Sequence, residues 1–116
     1  MEWENMKIAR TSLSKAEHGI MIGWLHCEAE GTGQGFGGLA LNHPTVLGNW
    51  IEGVLAATGV NSWEELTGSF VRVGREEPYG PIVAIKPILS DTPVFRPSKA
   101  LLDGPCLEPP PSERSE

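Results

Sequence analysis

Residues 20–29, Ile-Met-Ile-Gly-Trp-Leu-His-Cys-Glu-Ala, are apolar at almost every position, and the run is far too short to cross a membrane as a helix. As a strand it places Ile20, Ile22 and Trp24 on one face and Met21, Leu25 and Cys27 on the other. A strand apolar on both faces sits centrally in a sheet with cover on both sides. A chain of 116 residues holds one core, so the second cover is expected from another layer, a second copy of the chain or a partner. Trp24 is the residue on which that choice turns. Tryptophan is enriched at interfaces, and its place here points to a homodimer or partner surface.

The rest of the chain arranges itself around this segment. Residues 7–13 alternate loosely and read as a first strand, with the turn at 14–19 ending on Gly19. Gly31-Thr32-Gly33-Gln34-Gly35-Phe36-Gly37-Gly38 leads into Leu39-Ala40-Leu41, a third strand whose glycines suggest a bulge or a close backbone approach. The spacing of Leu47, Trp50, Ile51, Val54 and Leu55 predicts a helix opening at Pro44 or Thr45, with Thr45 as N-cap, and closing at Thr58 before Gly59. Ser62-Trp63-Glu64-Glu65 reads as a capping box on a short helical turn. Residues 70–73 and 82–89 are a fourth and a fifth strand, and Pro87 puts the fifth at an edge or breaks it. The fold class is therefore α+β: a small antiparallel sheet of about five strands, β-β-β-α-β-β, with one helix on a face. A single domain is expected over 1–95, followed by a proline-rich, disordered tail over 96–116.

Charge bounds the partners. The net charge is −6, and no Lys or Arg occurs between Ala16 and Val71. Lys7, Arg10 and Lys15 precede that stretch, and Arg72, Arg75, Lys86, Arg96 and Lys99 follow it. Such a balance argues against direct binding of nucleic acid; the acidic stretch reads either as a solvated surface that aids solubility or as an acidic face that meets a basic partner. The acidic opening Met1–Asn5 leads into no apolar run and is not a secretory signal. Cys27 and Cys106 are too far apart to read as a disulfide framework or a zinc site. The expected setting is the reducing cytoplasm, with no metal, no cofactor and no membrane.

Several segments together carry a resemblance. Glu17-His18-Gly19-Ile20, Gly33 to Leu41, Gly59 to Gly68 and Phe70-Val71-Arg72-Val73 resemble a family of small phage and prophage proteins to which no activity is assigned. The likeness spans Arg10 to Leu89, and its most specific parts are the glycine–phenylalanine strand and the Ser-Trp-Glu-Glu-Leu turn. It implies a phage origin and a bacterial host cell. In that family a lysine is common on either side of the glycine after the turn, where this chain has Thr67 and Ser69. A basic contact at that point is not carried over.

No catalytic constellation stands out. Gly33-Gln34-Gly35-Phe36-Gly37-Gly38 fits G-x-G-x-x-G in letters, but no helix opens at its last glycine, as a dinucleotide site requires. Its amides could still form an anion nest at Gly33, Gly35, Gly37 and Gly38. His26 and Cys27 are strand neighbours that point to opposite faces, which is no nucleophile pair. The sequence thus points to a non-enzymatic phage counter-defence protein of the anti-CRISPR type. Glu28, Glu30, Glu52, Glu64 and Glu65, with Trp24, would imitate a nucleic-acid backbone and dock on the basic groove of a host effector complex. The alternative is a small-ligand protein that sequesters a nucleotide signal on the glycine-rich segment.

Overall fold

The computed structural model describes residues 1–15, 19–41 and 43–97. The region from 98 on, which holds most of the expected tail and Cys106, lies outside the described residues, as do Glu17 and His18.

The first strand, β1, runs over Glu2–Lys15 and is longer than the 7–13 expected from its alternation. Met6 and Ile8 point into the core while Asn5 and Lys7 point away from it. Ala9 is then left out of the pairing between Ile8 and Arg10, a β-bulge that changes the phase and bends the strand. That bend lets one strand serve two partners. Its first half pairs antiparallel with β4 (Phe70–Arg75), from Glu2 opposite Arg75 to Lys7 opposite Phe70. Its second half pairs with β2 (Met21–Ala29), which in turn pairs with β3 (Thr32–Ala40). β5 (Ile82–Lys86) pairs with β4 and stops before Pro87, at the sheet edge that the proline predicts. The sheet order is β3-β2-β1-β4-β5, an antiparallel five-stranded sheet with one α-helix among the described residues, in keeping with the α+β reading.

That helix, α1 (Pro44–Thr58), covers one face of the sheet with Trp50, Gly53, Val54 and Ala57. Its N-cap is His43 and not Thr45: the His43 Nδ1 accepts from the Thr45 amide at 3.2 Å. The reason is Pro44. A residue before proline is held extended, and proline suits the first helical position, so the cap falls one place earlier. At the other end Gly59 takes φ +80 and its amide donates to the Leu55 carbonyl, the left-handed cap expected there. The Glu65 carboxylate accepts from the Asn61 and Ser62 amides and closes the predicted capping box over the turn Trp63–Glu65.

Beneath the helix the core is aromatic at its centre. The Trp50 ring stacks on Phe36 with centroids 5.5 Å apart and tilts against Phe95 at 5.8 Å. Met6, Ile8, Leu25, Val71, Val73 and Ile85 surround this group. Phe95 is drawn in by an isolated bridge to Ile85.

Opposite edges of the sheet also meet. The Arg75 guanidinium donates to the Gln34 side-chain oxygen at 2.7 and 3.1 Å and to Glu4 at 2.7 Å, and the Gln34 amide nitrogen donates to the Gly80 carbonyl at 2.9 Å. This clasp ties the β3 edge to the β4–β5 turn. β1 is thus shared between the two halves of the sheet, and the helix is inserted in the chain between β3 and β4.

Within residues 20–29, β2 is an interior strand paired on both sides, as expected, but the two faces of that strand are not equally covered. β1 holds the centre, and β2 buries Gly23, Leu25 and Cys27 while Trp24 stays 37% exposed. The chain has one helix in its described part, and that helix covers one face. On the outer face of β2 the Trp24 ring lies over the glycines of β3.

Candidate functional site

The outer face of β2 and β3 is shaped by glycine. A β-carbon at Gly35 would sit 2.8 Å from the Trp24 ring, and one at Gly38 would overlap the same indole. On the other face, a β-carbon at Gly23 would sit 2.6 Å from the Trp50 Nε1, and one at Gly37 would lie 2.7 Å from the Trp50 ring. Two tryptophans thus press on the glycine strand from opposite sides. Gly37 and Gly38 also take φ of +119 and +77, and the pairing with β2 shifts register here between Gly23 and Trp24. The four glycines expected as an anion nest are therefore a thin, bulged strand packed against rings. Gly33 stands clear of the rings, its nearest neighbour being the Cys27 carbonyl.

Trp24 does not lie alone. His26 follows two residues later on the same face, and the two rings stack with centroids 6.1 Å apart and planes 25° apart. Arg10 is the cross-strand partner of His26, and Lys7 that of Glu28. Arg10, His26, Glu28, Gly33 and Gly35 line an open depression of about 350 Å³. Partial burial and the neighbouring Arg10 guanidinium hold the His26 pKa below the ordinary histidine range, which favours the neutral ring. Among the described residues no carboxylate lies within ion-pair distance of Lys7 or Arg10.

Among the described strand residues, cations outnumber carboxylates on the outer face of this acidic protein. Lys7, Arg10, Arg72 and Lys86 stand on it, against Glu28 on the strands themselves. Two of these cations are occupied. Arg72 donates to the carbonyls of Pro87 and Ser90 and pairs with Asp91, while Lys86 lies 4.1 Å over the Trp3 ring.

The five glutamates expected on one acidic face are spread over the molecule. Glu28 is on the outer sheet face beside Lys7, and Glu30 is exposed at the β2–β3 turn. Glu52 is exposed on α1, on the layer across the sheet. Glu64 and Glu65 are exposed on the turn after the helix, and Glu65 is engaged in the cap. The fold brings Trp24 together with Glu28 and the glycines, and with Arg10 and His26, which the sequence reading did not select. The Trp24/His26 pair had a legible signal, two rings two residues apart in a strand. Arg10 had none, because its place depends on the bulge at Ala9.

Cys27 faces the opposite way. Burial pushes its thiol up to about 11, against a smaller opposing pull from Arg75. Among the described residues no group of three His, Cys, Asp or Glu side chains could hold a metal, and no helix is long and apolar enough to cross a membrane. Comparison with protein-family models, with curated proteins and with solved structures gives no significant match.

Proposed function

We propose that the protein is a non-enzymatic binding protein that holds a planar, anionic ligand of the nucleotide class on the outer face of β2 and β3. The observation that carries this reading is the Trp24/His26 stack, with Trp24 seated on glycines and His26 lining an open depression beside Arg10, which has no carboxylate at ion-pair distance among the described residues. Aromatic faces take up a base by stacking, and a guanidinium beside them meets a phosphate or stacks in its own right. Glu28, which lines the same depression, would accept from a base edge.

In a phage setting such a protein would act by sequestering a nucleotide signal. Docking of an acidic face on a host effector complex needs Glu28, Glu30, Glu52, Glu64 and Glu65 on one side. Their distribution gives that reading no carrying observation.

Heat denaturation with a panel of nucleotides tests the proposal. A ligand present at 100 times its Kd adds about 2.7 kcal/mol to the folded state. A rise in Tm that disappears in Trp24→Ala is the expected result. No rise with any nucleotide would count against the reading.

A further inference from the structure

We infer that the ligand of this face is a single strand of nucleic acid and not a lone nucleotide, an inference that rests on the binding face proposed above. The depression around Arg10 and His26 does not end the surface on which it lies. Across β1, Lys7 stands opposite Glu28 on one side and Phe70 on the other, so the outer face continues from β2 to β4 in one register row. Phe70 is 56% exposed there, the second large ring the strands offer to solvent on this face.

From Trp24 to the row of Glu28 is four residues along β2, and from Glu28 to Phe70 is two strand spacings. On a sheet surface that separates the two rings by roughly 16 Å. One nucleotide cannot touch both. A short run of linked nucleotides can, with bases stacked on Trp24 and Phe70 and the intervening phosphates beside Arg10 and Lys7. Those two cations have no carboxylate at ion-pair distance among the described residues, so neither has to break a pair to reach a phosphate.

The charge pattern of the face favours this occupant, through the two cations, Lys7 and Arg10, that are left outside the Asp91 pairs. The chain carries −6 in total, yet its outer sheet face presents cations interleaved with rings. That combination is what single strands bind: a positive track for the backbone and aromatic platforms for successive bases. Duplex DNA, with its bases already stacked, cannot use the rings.

The physics sets the expected size of each effect. With two phosphates neutralised, the plot of log Kobs against log salt has a slope of about −1.4 for a single strand. Removing one stacking ring costs roughly tenfold to a hundredfold in affinity.

The test is a titration of the full chain with fluorescein-labelled oligothymidylate of roughly eight nucleotides. Thymidine monophosphate and a duplex of the same length are competitors. Expected are binding of the oligonucleotide at least tenfold tighter than the mononucleotide, weak competition by duplex, and loss of affinity in both Trp24→Ala and Phe70→Ala. Circular dichroism reports whether each variant folds. Should Trp24→Ala fail to fold, the double variant Lys7→Gln, Arg10→Gln still flattens the salt slope if the inference is right. Equal affinity for mononucleotide and oligonucleotide would overturn the strand and leave the nucleotide pocket standing. Binding that is indifferent to Trp24 and Phe70, or that prefers duplex, would also overturn it. Absence of binding by either ligand would sink both proposals.

Discussion

Trp24 lies across Gly35, close enough that a β-carbon on that glycine would come within 2.8 Å of the indole atoms Cε3 and Cζ3. The contact explains how a strand apolar on both faces is tolerated under a single helix. The ring is laid flat instead of standing in solvent, and the neighbouring strand gives up side chains to make room.

Gly35→Ala and Gly38→Ala should therefore cost stability, by about 1–3 kcal/mol each, because the ring must lift and, at Gly38, a positive φ must hold a side chain. Gly33→Ala is the control. Its β-carbon would meet nothing nearer than the Cys27 carbonyl at 3.7 Å, and its effect should stay within about 0.5 kcal/mol. Urea denaturation of the three variants makes the comparison. Equal losses at all three positions would show that the ring is not what demands glycine.

The clasp between edges is a second point of weakness. Gln34→Ala removes the acceptor of Arg75 and the donor to the Gly80 carbonyl at once. Leaving a half-buried guanidinium short of a partner should cost about 1–3 kcal/mol in the same assay. The loss should appear mainly as faster hydrogen exchange in β3 and in the β4–β5 turn, since these are what the clasp joins.

His26 gives the fold a pH dependence of defined sign. Its folded pKa lies below the ordinary value of 6.5, through burial first and the Arg10 charge second. Between those two pKa values the unfolded chain binds a proton that the native chain refuses. Stability from this group is then fully present above about pH 6.5 and falls as the pH drops towards the folded pKa. His26→Gln should remove that part of the acid slope in denaturation curves taken from pH 7 to pH 5.

Cys27 should be silent. With its thiol pushed up to about 11 and its side chain buried, it carries almost no thiolate at neutral pH. In a Cys106→Ser chain, a disulfide reagent at pH 8 should react with the native protein only as fast as it unfolds, and at once in denaturant. Rapid reaction of the native chain would mean that the inner face of β2 is open.

How far these features could be read from the sequence differs element by element. The helix bounds, the Gly59 cap, the Glu65 box and the stop before Pro87 were legible because each is decided by residues within a few positions. The strand order was not. Acidic Glu2 and Glu4 hide the start of β1, and nothing local says that the first strand will sit between β2 and β4. This matters most for the site. Lys7 and Arg10 look peripheral in a chain whose middle has no cation, yet they come from the central strand and land beside the residues of that acidic middle. The bulge at Ala9, which turns Arg10 towards His26, has no signature in a run of ordinary strand residues. Five glutamates from separate elements look like one acidic face in the sequence only because the sequence has no sides.

The proposed function puts the ligand on the outer face around Trp24. The most direct measurement follows the indole N–H signals of the four tryptophans by ¹H–¹⁵N NMR as a single-stranded oligothymidylate is added. The Trp24 signal, with the amides of His26, Arg10 and Gly35, should shift in proportion to added ligand, while Trp50 beneath the helix and Trp63, bonded to Thr11, stay in place. Shifts that gather at Trp63 and α1 and leave Trp24 unmoved would contradict it.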